Sequence, residues 1–279
     1  MKVTKVDLYN YFNVERPQGA SGYLNCYLLN DGEALDCKRP AMLVIPGGGY
    51  HHVSLREKEP IALEYFNANY ITFTLEYSVA PIKFPYAFME ASMAMCYIRE
   101  NANQLNVDKN KVCGIGFSAG GHLLGCISTM YNREELNFLK EKRCYVKPDA
   151  SIFMYSVING LDKPHMHSFV NLFGENYEGK LKEFSINENV DKNSPPAFIV
   201  STVGDNCVPC KNSLHLALAY ENSGVPFTLH IFEKGNHGLS LLNEKVYAKA
   251  ELNEVLKITS NDYSKWLEMS LTWLKELGF

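Results

Sequence analysis

Several features are missing from this 279-residue sequence. No apolar run reaches the roughly 20 residues that a membrane-spanning helix needs, and the amino terminus, Met1-Lys2-Val3-Thr4-Lys5, lacks the apolar stretch of a signal peptide. No membrane partner and a cytoplasmic location are therefore expected. Lys and Arg number 27 against 31 Asp and Glu, scattered to a formal net charge of −4, so there is no cationic field to attract nucleic acid. Neither G-K-[ST] nor a helix-opening G-x-G-x-x-G with an acidic partner occurs, which excludes the common phosphate-binding loops. Eight cysteines are too few to staple a chain of this size, and Cys113 and Cys126 lie in apolar stretches where a thiol acts as a small hydrophobe. Cys207-Val208-Pro209-Cys210 has redox spacing without a thioredoxin-like context, so its thiols are read as incidental, with a regulatory disulfide left open. His165 and His167 are spaced like metal ligands, yet no Cys, Asp or Glu cluster supports them. No metal and no cofactor are expected.

What is there reads as strands alternating with helices. Apolar or β-branched runs at 3–8, 22–29, Ala41–Ile45, Tyr70–Leu75, 111–117, 150–155, 197–203 and Phe227–Phe232 predict strands. Helical spacing falls at Glu59–Asn67, 86–103, 122–130, 211–222 and 262–277, the last burying Tyr263, Trp266, Leu267, Leu274 and Leu277. This order predicts one doubly wound, mostly parallel sheet with helices on both faces. A single domain over residues 1–279 is expected. Within it, 159–194 is polar and aromatic without a clear period and is read as a small lid-like excursion.

Gly116-Phe117-Ser118-Ala119-Gly120 matches G-x-S-x-G between a predicted strand and a predicted helix, the context in which that motif lifts a nucleophilic serine onto a sharp turn. An acyl-transfer serine needs a base, and His237, in Gly235-Asn236-His237-Gly238 after a predicted strand, is the best placed of eight histidines. Asp205 ends the preceding strand and supplies the acid. The order Ser118, Asp205, His237, with gaps of 87 and 32 positions, is that of α/β-hydrolases. The carbonyl oxygen that turns anionic needs N–H donors. Ala119 supplies one, and Gly47 and Gly48 in the loop Pro46-Gly47-Gly48-Gly49 are the candidates for the second. Substitution at Gly48 is expected to harm turnover more than folding, whereas at Gly125 it acts through packing. Gly49, Tyr50 and His52 are candidates for the substrate pocket, with His51 beside them. His122 is expected to pack, and His215 and His230 are read as structural.

Together with Tyr77-Ser78-Val79-Ala80-Pro81, Gly116–His122 and Ser194-Pro195-Pro196-Ala197-Phe198, the loop Ile45–Tyr50 resembles bacterial acetyl esterases of the α/β-hydrolase fold, which are often found with xylan-degrading enzymes and sometimes labelled xylanase-like. The resemblance spans most of the chain. It implies cofactor-free hydrolysis of short acyl, chiefly acetyl, esters of carbohydrates such as xylo-oligosaccharides, with Ser118, Asp205 and His237 as the triad and a small-molecule ester as partner. Two rival readings stay open: a serine peptidase or amidase on the same fold, and a ligand-binding protein that has lost turnover.

A triad that holds both nucleophile and base needs no metal. Hydrolysis of p-nitrophenyl acetate is therefore expected to proceed unchanged in EDTA; loss of rate that a divalent ion restores would overturn the reading.

Overall fold

Along the segment Arg39–Ile45, Ala41, Leu43 and Ile45 point into one apolar cluster while Met42 and Val44 point into another. A strand that is apolar on both faces belongs between two layers of helices. The computed structural model describes residues 1–30 and 38–279 and shows that arrangement. Its strands are β1 (Lys2–Asp7), β2 (Tyr23–Leu28), β3 (Arg39–Ile45), β4 (Ile71–Glu76), β5 (Val107–Phe117), β6 (Ala150–Met154), β7 (Ala197–Thr202) and β8 (Phe227–Phe232). They form one sheet in the order β1-β2-β4-β3-β5-β6-β7-β8, with β1 and β2 antiparallel and β3 to β8 parallel. This is the α/β-hydrolase fold.

The helices are α1 (Leu8–Phe12), α2 (Glu59–Asn67), α3 (Tyr86–Glu100), α4 (Ala119–Thr129), α5 (Met166–Phe173), α6 (Lys211–Ser223), α7 (Lys249–Lys257) and α8 (Trp266–Glu276). Buried residues of α3, α4 and α6 share one cluster, and those of α2, α7 and α8 share the other. Helices thus cover both faces, and the strand order turns back at β3, with β4 on one side and β5 on the other. Loops leaving the carboxyl ends of β3 and β5 open a crevice at that reversal.

Several boundaries differ from the sequence reading. β1 stops at Asp7 because its carboxylate accepts from the Asn10 N–H at 3.0 Å and caps α1, so Leu8 starts a helix. Helix α4 begins at Ala119, not near His122. Tyr263 lies in a 3₁₀ turn before α8, Leu267 is half-buried, and Leu277 is exposed, so the last helix buries a narrower stripe than expected. The unpredicted α7 buries only Leu252, too little to leave an apolar period. The segment 159–194 holds α5 and three single 3₁₀ turns. Its entry is fixed by polar contacts: Ile158 and Asn159 N–H groups both donate to Asn212 Oδ1 at 3.0 Å.

Among the described residues outside the crevice, the Glu90 carboxylate on α3 is buried at zero exposure. It accepts from Tyr9 Oη of α1 at 2.8 Å and from the Ser78 N–H and hydroxyl at 2.5 Å each, joining three segments. Burial pushes its carboxyl up to about 7 against the opposing pull of the Ser78 and Tyr9 hydrogen bonds. The folded chain therefore keeps a proton that the unfolded chain releases near the ordinary 4.5, and stability falls as pH rises between those two values. Wild type is expected to lose on the order of 1–3 kcal/mol relative to Glu90→Gln from pH 4.5 to 7, followed by denaturant unfolding. A relative gain over that window would reverse the assignment.

Candidate active site

Ser118 follows the last residue of β5 and precedes α4, at φ 51° and ψ −119°. A non-glycine residue held at positive φ is strained and persists only where its surroundings impose it. Here Gly116 and Gly120 allow the turn. A Cβ on Gly120 would lie 2.2 Å from the Ile45 carbonyl oxygen, and one on Gly116 would lie 2.5 Å from the Gly120 carbonyl oxygen. The elbow is drawn tight against the end of β3.

Three strand ends converge on the serine. His237, in the loop after β8, lies with Nε2 2.8 Å from Ser118 Oγ and Nδ1 2.7 Å from Asp205 Oδ2. Asp205, just beyond β7, is buried, and its second oxygen accepts from the Cys207 and Val208 N–H groups at 2.9 and 2.8 Å. A carboxylate can only accept, so Nδ1 carries the proton and Nε2 is left as acceptor for the serine hydroxyl. That is the tautomer a general base requires. The structure brings together the three residues predicted from sequence.

The glycine loop divides the predicted donors. Gly47 N–H donates to Glu57 Oε2 at 2.8 Å and so has no free proton for a substrate oxygen, which removes Gly47 from the donor set. Gly48 N–H has no acceptor among the described residues and borders the same cleft as Ser118. Ala119, first residue of α4, also leaves its N–H without a helical partner. The expectation that Gly48 substitution spares the fold is corrected: at φ +123° a Cβ would stand 2.0 Å from the His52 carbonyl oxygen, so the loop has to move. At Gly125, a Cβ meets Ile186 at 2.7 Å, a packing conflict as expected.

The cleft above Ser118 has a volume of about 1020 Å³. Gly49, His51 and His52 line it as the sequence suggested; Tyr50 does not. Tyr50 is buried and turned inward, 2.9 Å from His122 Nδ1, while His122 Nε2 donates to the Phe184 carbonyl at 2.8 Å. A carbonyl cannot donate, so His122 Nδ1 accepts from Tyr50. Burial drops the His122 pKa to about 4, which keeps the ring neutral in this role. His215 meets Asp162 at 3.0 Å and His230 packs on Phe198, both away from the cleft.

Sequence reasoning missed Glu57, Arg56, His165, His167 and Asn171, all of which line the cleft. His165, weighed only as a metal ligand, instead pairs Nδ1 with Ser168 Oγ at 2.8 Å, and burial lowers its pKa, aided by the nearby His237 and His167. Asn171 Nδ2 donates to the Gly49 carbonyl at 2.9 Å, tying α5 to the glycine loop. No group of three metal-ligating side chains occurs among the described residues. The thiols of Cys207 and Cys210 are free.

The fold is that of an α/β hydrolase. The chain belongs to the BD-FAE family, whose model matches residues 27–220. It is 35% identical over 246 residues to endo-1,4-beta-xylanase B of Butyrivibrio fibrisolvens, a match over 86% of this chain and 38% of that protein. It is 30% identical over 225 residues to an acetylxylan esterase of Xylanibacter ruminicola, a match over 76% of this chain and 45% of the other. The chain thus spans less than half the length of these relatives. An acetyl ester-xyloside bifunctional hydrolase from Caldicellulosiruptor lactoaceticus superposes with a TM-score of 0.81 at 29% identity, covering 99% of this chain and 97% of that one. The carboxylesterase Cest-2923 from Lactobacillus plantarum gives 0.78 at 25% identity over 100% and 98%.

Ser118→Ala and His237→Ala are expected to lower kcat on the order of 10⁶-fold, and Asp205→Asn on the order of 10⁴-fold through the wrong imidazole tautomer. Steady-state rates on p-nitrophenyl acetate check this. A folded Ser118→Ala protein that still turns over would refute the assignment.

Proposed function

We propose that this chain hydrolyses short acyl esters, chiefly acetyl groups on carbohydrates such as xylo-oligosaccharides, through an acyl-enzyme on Ser118. The observation that carries the proposal is the unbroken hydrogen-bond path from Ser118 Oγ through His237 to Asp205, set beside the N–H groups of Gly48 and Ala119, which have no acceptor among the described residues. His237 Nε2 takes the hydroxyl proton as Oγ attacks the ester carbonyl, and the oxygen that becomes anionic is stabilised by the Gly48 and Ala119 N–H groups. Collapse of the tetrahedral species breaks the bond to the alcohol, which leaves with the proton from His237. Water then gives a proton to His237 and its hydroxyl to the acyl carbon, and collapse of this second tetrahedral species breaks the bond to Oγ, which takes the proton back from His237 as the acid leaves.

The substrate class rests on the walls of the cleft and on its relatives. His51, His52, Arg56, His165, His167 and Asn171 offer hydrogen-bonding groups over an open volume, against the apolar Val53 and Leu55. That lining suits a polyhydroxylated alcohol better than a long aliphatic chain. The names acetylxylan esterase and acetyl ester-xyloside hydrolase, carried by similar proteins, agree with it. In the same reading, residues 1–279 act as one domain, 159–194 closes over the alcohol side, and the seven free thiols of the described residues fit a reducing, cytoplasmic setting.

The test is a panel of p-nitrophenyl acetate, butyrate and octanoate, acetylated xylo-oligosaccharides and an aminoacyl anilide. Acetate is expected to be preferred over octanoate by at least about tenfold in kcat/KM, with acetate released from the acetylated sugars. Preference for the anilide would favour an amidase, and binding without turnover would favour a ligand-binding protein.

A further inference from the structure

A carboxylate buried beside a site that must stabilise a negative oxygen is electrostatically misplaced unless its charge is taken up by donors. Glu57 is such a group. It is 4% exposed and borders the cleft with Ser118. Both of its oxygens are occupied: Oε2 accepts from Gly47 N–H at 2.8 Å, and Oε1 accepts from Tyr155 Oη at 2.7 Å. The Tyr155 oxygen in turn accepts from Ser240 N–H at 3.1 Å, three positions after His237. The Ser240 hydroxyl donates to the Arg56 carbonyl at 2.6 Å and closes a ring next to Glu57 itself.

This ring joins the loop after β3, the end of β6 and the loop after β8. Within the first, the Gly47 carbonyl accepts from Ser54 N–H at 3.0 Å, and across a planar trans peptide the Gly48 N–H must point the opposite way. Gly47 is therefore held at its N–H by Glu57 and at its carbonyl by Ser54, which leaves Gly48 N–H one orientation. We propose that Glu57 is a positioning residue that sets the oxyanion hole, fixing Gly48 N–H beside Ser118 and coupling it through Tyr155 and Ser240 to the loop that carries His237. The inference rests on the reading of Ser118 as nucleophile and Gly48 as donor. It assigns Glu57 no contact with the reacting atoms.

The experiment measures kcat, KM and the thermal midpoint for wild type, Glu57→Ala, Glu57→Gln, Tyr155→Phe and the Glu57→Gln/Tyr155→Phe double variant on p-nitrophenyl acetate. Glu57→Ala is expected to lose kcat on the scale of one oxyanion donor, roughly 10²–10³-fold, with KM within about threefold, because the missing interaction belongs to the transition state. Glu57→Gln keeps one acceptor for Gly47 and is expected to recover at least about tenfold of that loss. Tyr155→Phe retains the ring, whose centroid lies 5.0 Å from that of His237, and is expected to lower kcat; the double variant is expected to lose less than the product of the single losses. Wild-type kcat in both Glu57→Gln and Tyr155→Phe would overturn the proposal, as would losses confined to KM or to the thermal midpoint. If Glu57→Ala does not fold, the other variants decide alone. An active Ser118→Ala would instead remove the underlying reading, whereas an inactive one beside unimpaired Glu57→Gln and Tyr155→Phe variants removes this inference only.

Discussion

The parallel pairing of β3 with β5, in which Ile45 faces Gly116, is the constraint on which the rest of the site depends. It sets the glycine loop and the serine elbow side by side at the carboxyl ends of these two strands. Gly120 then brings α4 within contact of the Ile45 and Pro46 carbonyls, a distance that no larger residue permits. The glycine loop and Ser118 are thus neighbours through backbone hydrogen bonding, before any side chain contributes. Asp205 and His237 arrive from two further strand ends, so each participant sits on the rim of one rigid sheet.

Along this rim the buried side chains of His122 and Asp205 are each answered by partners of matching capacity. His122, kept neutral by burial, receives a proton from Tyr50 and gives one to the Phe184 carbonyl. Asp205 spends one oxygen on two backbone N–H groups and the other on His237. Unmet groups at this depth would cost more than the bonds themselves contribute, so these networks select one arrangement of the loops. The same logic separates Gly47, whose N–H is held by Glu57, from the adjacent Gly48, whose N–H has no acceptor among the described residues.

Most of the strands and the three converging residues were legible because each rests on a local pattern. An apolar run ending in Gly116–Gly120 marks both a buried strand and its turn, and Asp205 and His237 follow runs of the same kind. Tyr50 was misplaced because an aromatic next to a glycine loop reads alike whether it turns outward or, as here, inward toward His122. Glu57 was invisible for a related reason: Leu55-Arg56-Glu57-Lys58-Glu59 looks like solvated charge, and only the fold buries its third member. Helix α5 spans just over two turns, too few for its buried Phe169 and Leu172 to stand out as a period, and Asn159, Asn171 and Asn212 tie the segment around it.

The positive φ of Ser118 limits what evolution can do with this scaffold. A β-branched side chain is excluded from that region of backbone space far more strictly than an unbranched one. Threonine therefore cannot replace the serine without undoing the elbow, although it carries the same hydroxyl. Cysteine, unbranched at Cβ, meets no such barrier. Exchange at this position is open toward a thiol and closed toward a secondary alcohol, a bias written into one backbone angle.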